Sequence, residues 1–147
     1  MNRRYYAVVL AGGQGLRMGY DIPKQFIEIE GKPILRHTIE RFRESFDEIE
    51  IIVVLPSGEK EYWKEYCKRT GFLDRYVMPS GGITRFHSVQ NALKYVPDGA
   101  IVAVHDGVRP FVTRDFLRSM FKKMEECKAL VPVTLPVESL REIGPDG

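Results

Sequence analysis

Residues 5–15 read YYAVVLAGGQG, a short apolar run that leads into three glycines. The run has no charged residue and contains aromatic and β-branched side chains, which is typical of a strand buried on both faces. Glycines directly after a strand let the backbone turn sharply and bring its N–H groups together around an anion. This stretch therefore predicts the first strand of a parallel sheet, with a phosphate-binding loop at its carboxyl end.

Apolar runs alternate with amphipathic stretches along the rest of the chain. Further buried strands are predicted at residues 51–55, 76–78, 101–104 and 129–133. Helical spacing and end signals predict four helices. One has Pro33 at its first position, one ends before Gly71, one is closed by Pro97, and one is capped by Thr113. We therefore expect an α/β fold of three layers, with a mostly parallel sheet between helices.

The composition is that of a soluble globular protein. Its 147 residues suit one compact domain, with 44% hydrophobic and 29% charged residues. Twenty-two basic and twenty acidic side chains leave a net charge of +2, which favours neither a nucleic-acid nor a membrane partner. The sequence has no signal peptide and no run of membrane-spanning length, and Cys67 and Cys127 stand alone. We expect a cytoplasmic protein with reduced thiols.

Two familiar glycine motifs do not fit the first loop. A dinucleotide-binding motif would need a glycine at Met18 and an acid at the end of the next strand, where residues 55–57 read LPS. A Walker motif would need Gly-Lys-Ser or Gly-Lys-Thr, which does not follow. Taken alone, the glycines fit a tight turn as well as a phosphate site.

Two cations follow these glycines and change their interpretation. Arg17 and Lys24 lie shortly after the loop, and Pro23 stiffens the approach to Lys24. Either cation alone would be interpreted as a solvated surface charge. Together, beside a glycine loop, they indicate a clamp on a triphosphate.

A second glycine loop, residues 79–85, reads PSGGITR and follows another predicted strand. Gly81 and Gly82 let the backbone lie against a flat base or a phosphate. Ser88 lies near the start of the next helix, where its hydroxyl can face a ligand. Capping of that helix by Thr84 or Ser88 is an equally consistent interpretation.

The third loop, residues 105–110, reads HDGVRP. Asp106 at a strand end can hold Mg²⁺ or a ribose hydroxyl, and Arg109 can bind an anionic substrate as a bidentate fork. A purely structural Asp106–Arg109 ion pair is the alternative, and we expect His105 to make a structural hydrogen bond. Because ligands of open α/β sheets bind at the carboxyl ends of the strands, the three loops predict one site.

Four motifs thus occur in order: LAGGxGxRM at residues 10–18, PKQF at 23–26, GGxxRxxS at 81–88 and HDxxRP at 105–110. Their combination resembles the 2-C-methyl-D-erythritol 4-phosphate cytidylyltransferases, which act in isoprenoid precursor synthesis. The resemblance implies a Rossmann-like nucleotide-diphospho-sugar transferase fold. It also implies transfer of CMP from CTP, with Mg²⁺, to methylerythritol phosphate, giving CDP-methylerythritol and pyrophosphate.

The resemblance also assigns roles to individual residues. It implies a loop that cradles CTP, formed by Ala11, Gly12, Gly13 and Gly15. It implies transition-state cations at Arg17 and Lys24, and a cytidine environment formed by Gly81, Gly82, Ser88, Asp106 and Gly107. Substrate-binding positions are Arg109 and Ser139, and Asp106 is the candidate metal ligand.

The chain departs from the family pattern in places. Leu16 stands where the family often has a second cation, and residues 138–141 read ESLR where the family usually has Asp-Thr-x-Lys. The chain ends on the turn-forming residues 144–147, which normally lead into another element. We expect residues 1–147 to be a single nucleotidyltransferase domain that lacks its C-terminal part, with residues 134–147 beginning the arm of a homodimer.

Other functions remain open at this point. A ribitol 5-phosphate cytidylyltransferase would share nearly all of these motifs and differ only in its alditol phosphate acceptor. A dinucleotide-binding oxidoreductase is disfavoured by Met18 and by the missing acid. A non-catalytic nucleotide-binding module is disfavoured by the retained cations Arg17 and Lys24.

Overall fold

The computed structural model describes residues 4–12, 22–72, 74–139 and 141–145. Within these ranges the strands are β1 (Tyr5–Leu10), β2 (Glu28–Ile29), β3 (Lys32–Pro33), β4 (Glu50–Val54), β5 (Tyr76–Val77) and β6 (Ile101–Asp106). The α-helices are α1 (Ile34–Ser45), α2 (Lys60–Thr70), α3 (Arg85–Leu93) and α4 (Arg114–Met124). Two short 3-10 turns, Lys24–Phe26 and Ser57–Glu59, complete the regular elements.

The main sheet has the strand order β5-β4-β1-β6, and every neighbouring pair in it is parallel. β1 therefore lies between β4 and β6, with Leu10 opposite both Val54 and Asp106. A separate antiparallel hairpin joins β2 to β3. Its turn residues Glu30 and Gly31 both have positive φ, as tight hairpin turns require.

Helices cover both faces of the sheet. On one face, α1, α2 and α4 pack their apolar side chains against alternate strand residues, in a cluster that includes Leu35, Trp63, Phe121, Ala7 and Val9. On the other face, α3 packs against the intervening strand residues, in a cluster that includes Ala92, Val89, Tyr6, Val8 and Ile52. This alternation confirms the predicted α/β fold of three layers.

Most helix ends follow the predicted signals, although α1 starts one residue after the predicted position and α3 ends at Leu93, four residues before Pro97. α1 starts directly after Pro33, and Gly71 ends α2 in the left-handed conformation with φ 67°. Thr84 and Thr113 cap α3 and α4, because each side-chain oxygen accepts a hydrogen bond from the backbone N–H three residues later. Cys67 and Cys127 are free thiols, as expected.

The predicted strand at residues 129–133 was wrong. The structure gives this stretch no strand pairing, and Val131 and Val133 are 75% and 87% exposed. Strand formation requires a partner for the backbone groups, and this stretch pairs with none of the strands described above. Pro132 further removes one of the donors that a ladder would use. Other strand boundaries differ from the predictions by one or two residues.

In the described part of the chain, no helix combines the length and the apolar character needed to cross a bilayer.

A partly buried ion cluster that joins β3 to α1 leads to a prediction about stability. Glu40 accepts hydrogen bonds from Lys32 Nζ and Arg36 Nε, both at 2.8 Å. Burial acts to raise the pKa of Glu40, but these hydrogen bonds outweigh it and hold the pKa below its ordinary value. The stabilisation by this carboxylate is therefore present above its unfolded-state pKa and is lost as the pH falls through the folded-state pKa.

We expect Glu40→Gln to lower the free energy of unfolding by about 1 kcal/mol at neutral pH, with a smaller loss in acid. Urea denaturation at both pH values measures this. Glu44→Gln is the control, because Glu44 is 52% exposed and lies 3.4 Å from Arg41. Equal losses for Glu40→Gln at both pH values would contradict an electrostatic origin.

Candidate functional site

A cleft of about 350 Å³ opens at the carboxyl ends of β1, β4 and β6. The described residues that line it come from all three predicted loops and from the 3-10 turn at Lys24. They are Leu10, Ala11, Gly12, Lys24, Gln25, Val54, Gly82, Ile83, Thr84, Arg85, Ser88, Asp106 and Val108. The structure thus brings together sequence segments almost one hundred residues apart, as the topology of a parallel sheet predicts.

The backbone at the end of β1 is held from both sides. Ala11 N–H donates to the Val54 carbonyl at 2.9 Å, and Gly107 N–H donates to the Leu10 carbonyl at 2.7 Å. Gly12 follows, and a Cβ built at this position would meet none of the described atoms within 4 Å. Among the described residues, nothing fills the space beside this first glycine of the loop. The predicted site residues Gly13, Gly15 and Arg17 lie outside the described residues.

The loop before α3 is held by its own hydrogen bonds. Gly81 N–H donates to the Leu55 carbonyl at 2.9 Å, and Gly82 N–H donates to Ser88 Oγ at 3.0 Å. The Ser88 hydroxyl in turn donates to the Thr84 carbonyl at 3.1 Å. Ser88 lies in the cleft wall as expected, but its hydroxyl hydrogen is used inside the loop.

Two motif glycines lie where close packing leaves little or no room for a side chain. A Cβ at Gly82 would lie 2.3 Å from the Cβ of His87, a distance that no real pair of atoms adopts. A Cβ at Gly107 would lie 3.1 Å from both the Ala11 Cβ and the Leu10 carbonyl oxygen. These glycines allow the second and third loops to approach the cleft closely, which is independent of any direct contact with a ligand.

Asp106 forms ion pairs with two arginines. Arg85 Nη1 lies 2.5 Å from Asp106 Oδ1, and Arg109 Nε lies 2.9 Å from Oδ2. The predicted alternative of an Asp106–Arg109 pair is therefore present, although it is not buried, because the Arg109 side chain is 75% exposed. Arg85 links the start of α3 to the end of β6 across the cleft.

The third loop is anchored beneath the cleft. His105 Nε2–H donates to the Arg109 carbonyl at 2.9 Å, which confirms the structural hydrogen bond expected for His105. The fully buried Thr38 on α1 donates its hydroxyl hydrogen to the Gly107 carbonyl at 2.8 Å. The positions of Asp106 and Arg109 are thus fixed by α1 and by the backbone of their own turn.

Lys24 lies at the junction of two concave surfaces. It lines the cleft and also a shallower hollow of about 510 Å³. The described walls of that hollow are Lys24, Ile29, Ile34, His105, Val108, Arg109, Pro110, Phe111 and Val112. A cation therefore stands where the cleft meets the hollow, and Arg109 lies in the hollow wall.

Ser139 is not brought to this site. It lies in an exposed stretch without regular structure, and neither set of described wall residues contains it. Its assignment as a substrate-binding residue stays a prediction.

The donor groups fit a magnesium ion that is held largely by phosphates. Asp106 is the carboxylate among the described cleft residues, and no cluster of three acidic, histidine or cysteine side chains occurs in that part of the chain. Mg²⁺ in nucleotide sites commonly takes one or two carboxylates and completes its shell with substrate phosphates and water. A metal here would have to share Asp106 with Arg85 and Arg109.

Sequence reasoning left two residues of the cleft without a role. Arg85 stands in the second loop, but its partner Asp106 lies 21 residues away, and no local sequence pattern indicates that the two side chains meet. Gln25 lies between a cation and an aromatic residue in the PKQF motif, and it is a buried amide in the cleft wall. An uncharged polar residue inside a motif is the signal that could have indicated Gln25.

Known proteins share both the sequence and the fold. A family model described as IspD, 2-C-methyl-D-erythritol 4-phosphate cytidylyltransferase, matches residues 5–143. A Bacteroides thetaiotaomicron protein of that name is 46% identical over 136 residues, covering 92% of this chain and 62% of its own length. A Phocaeicola vulgatus protein of the same name is 45% identical over 147 residues, covering 100% and 66%.

A solved structure of a protein with a related name shares the fold of this chain. The 4-diphosphocytidyl-2C-methyl-D-erythritol synthase of Anaerococcus prevotii superposes with a TM-score of 0.80 at 26% identity, covering 98% of this chain and 60% of that one. The chain spans a little under two thirds of the length of these relatives. On the extent of the family match and the identity to these relatives, the chain belongs to the 2-C-methyl-D-erythritol 4-phosphate cytidylyltransferase family.

Proposed function

We propose that the protein transfers a cytidylyl group from CTP to 2-C-methyl-D-erythritol 4-phosphate, releasing pyrophosphate. The observation that carries this proposal is the position of Lys24, which lines both the cleft and the hollow. A cytidylyl transfer needs a cation where a nucleotide phosphate meets an acceptor phosphate. The family membership supports the choice of both substrates.

The reaction is an in-line displacement at the α-phosphorus of CTP. An oxygen of the acceptor phosphate forms the new O–P bond, while the bond to the pyrophosphate oxygen breaks and pyrophosphate takes the electron pair. The acceptor phosphate is already ionised near neutral pH, so the nucleophile needs no general base. Catalysis then rests on orientation and on neutralisation of charge that builds on the phosphoryl oxygens.

We assign these tasks to the motif residues. Ala11, Gly12, Gly13 and Gly15 receive the triphosphate, while Gly81, Gly82 and Ser88 lie beside the base. Of the last three, Gly82 and Ser88 are described wall residues of the cleft. Arg17 and Lys24 stabilise the transferring phosphoryl group. Asp106 and Gly107 adjoin the ribose and phosphates, and Arg109 binds the acceptor phosphate. Mg²⁺, when bound at Asp106 and the phosphates, would neutralise further charge.

The assembly and the location of the protein are part of the same proposal. We expect a homodimer, supported by the exposed apolar residues Val133, Leu135 and Val137, which are 87%, 90% and 101% exposed. An arm that begins at residues 134–147 and includes Ser139 would contact the partner. The substrates are small molecules of the cytoplasm, and we propose neither a nucleic-acid nor a membrane partner.

The proposal is tested by measuring pyrophosphate release with CTP and Mg²⁺. Methylerythritol phosphate and ribitol 5-phosphate are supplied in separate reactions. We expect release with methylerythritol phosphate alone. Release with ribitol phosphate alone would reassign the acceptor, and tight CTP binding without release from either would leave a nucleotide-binding module.

Lys24→Ala should lower turnover by about 10²- to 10³-fold, because one preorganised charge at the reacting phosphoryl group is lost. Arg17→Ala should lower turnover by a similar factor. The matched control is Lys64→Ala, since Lys64 pairs with Glu61 on the exposed side of α2. Steady-state kinetics measure the turnover, and thermal melting shows whether each variant keeps its fold. Near-normal turnover in Lys24→Ala would rule out the proposed role.

Arg109→Ala should raise the KM of the acceptor about 10- to 100-fold, because a charge-assisted hydrogen bond to a phosphate is removed. The KM of CTP should change much less, since Arg109 lies in the hollow and is not a described wall residue of the cleft. Arg114→Ala, at the exposed start of α4, is the control. Equal changes in both KM values would argue against separate sites for the two substrates.

A further inference from the structure

Gln25 is a polar side chain in an unusual position, because it is only 1% exposed. A buried amide is expensive unless its hydrogen bonds are made, so a glutamine in the core needs specific partners. Gln25 directly follows Lys24 in the 3-10 turn. The partners of Gln25 therefore bear on the position of Lys24.

The Gln25 amide joins two separate parts of the chain. Its Nε2 group donates to the Ala11 carbonyl at 2.9 Å and to Glu59 Oε2 at 2.6 Å. Ala11 begins the loop after β1, and Glu59 directly precedes α2. Together with the turn that carries Gln25, three segments that are distant in sequence meet at one amide group.

The same turn is held on its other side by aromatic packing. Phe26 is buried, and its ring centroid lies 4.7 Å from that of Tyr62 and 6.1 Å from that of Trp63, both on α2. These contacts fix the turn to α2, but they do not connect it to the end of β1. The hydrogen bond from Gln25 to Ala11 supplies that connection.

We propose that Gln25 is a positioning residue that sets Lys24 relative to the loop after β1, with Glu59 as its anchor. The inference rests on the proposed cytidylyl transfer, in which Lys24 must stand at a fixed distance from the triphosphate. Gln25 touches no reacting atom in this account. Its effect on the reaction passes through Lys24.

Glu59 gives the amide its orientation. The Glu59 side chain is partly buried, and burial raises its pKa, while the hydrogen bond from Gln25 acts in the opposite direction. Among the described residues, Gln25 supplies the hydrogen-bond donor of this carboxylate. The Glu59 carboxylate is a strong acceptor and holds one hydrogen of the Gln25 amide. The other hydrogen of that amide is thereby directed toward the Ala11 carbonyl.

A double-mutant cycle in pyrophosphate release tests the proposal, with Gln25→Leu and Lys24→Ala made singly and together in the full chain. We expect Gln25→Leu to lower kcat about 10- to 100-fold through misplacement of Lys24, with the Kd of CTP changed less than about threefold. In the Lys24→Ala background the same change should have little further effect. Equal factors in both backgrounds would overturn the proposal.

The conservative variants separate positioning from loss of packing. Glu59→Gln keeps an acceptor for the Gln25 amide and should retain most of the turnover. Glu59→Leu removes that acceptor and should lower kcat nearly as much as Gln25→Leu does. Gln90→Leu is the matched control, because Gln90 is an exposed glutamine on α3. If Gln25→Leu does not fold, Gln25→Asn keeps the amide on a shorter side chain and should show the same dependence on Lys24.

Hydrogen exchange distinguishes failure of this inference from failure of the proposed function. The amides of Phe26 and Ile27 donate to the carbonyls of Pro23 and Lys24 within the turn. In Gln25→Leu they should exchange at least about tenfold faster, whether or not the protein turns over CTP. Unchanged exchange at these amides would show that Gln25 does not hold the turn, and would overturn the inference even in an active enzyme.

Discussion

The pairing of β1 with a parallel neighbour on each side is the constraint on which the site depends. Because Leu10 lies opposite both Val54 and Asp106, the three strands end at the same level. The hydrogen bonds of Ala11 to Val54 and of Gly107 to Leu10 carry this alignment one step past the strands. Loops that begin at a common edge must surround a common space, so the cleft is a consequence of strand register.

The charges of this space differ from those of the whole chain. The described walls of the cleft and the hollow contain Lys24, Arg85 and Arg109 but only one carboxylate, Asp106, whereas the chain as a whole carries +2 among 42 charged side chains. Asp106 takes part in two ion pairs and so holds both arginines near the cleft. An anionic ligand that replaces the carboxylate as a partner would not open the fold, which suits the proposed binding and release of phosphates.

Local features of the sequence predicted local structure well, and the failures involve distant partners. The capping of α3 by Thr84, the end of α2 at Gly71 and the core of β1 were predictable, because each is decided within a few residues. The Arg85–Asp106 ion pair was not, since two surface charges 21 residues apart give no sign that they meet. Residues 129–133 have the composition of a strand, but a strand also needs a neighbour, which a local pattern does not report.

The motif residues of the cleft owe their identities to two different causes. At Gly12 a larger side chain would meet no described atom within 4 Å, so packing against the described residues does not explain a glycine there, whereas the proposed access of a ligand to the backbone does. At Gly82 a side chain would collide with His87, and at Gly107 it would lie tightly against Ala11, so packing alone gives a reason for both glycines. Gln25 belongs with the second group, because its partners are a carbonyl and a carboxylate of the protein itself. On the proposed roles of Gln25 and Lys24, a motif of this kind records the framework that holds Lys24 in place as well as the groups that touch the substrate.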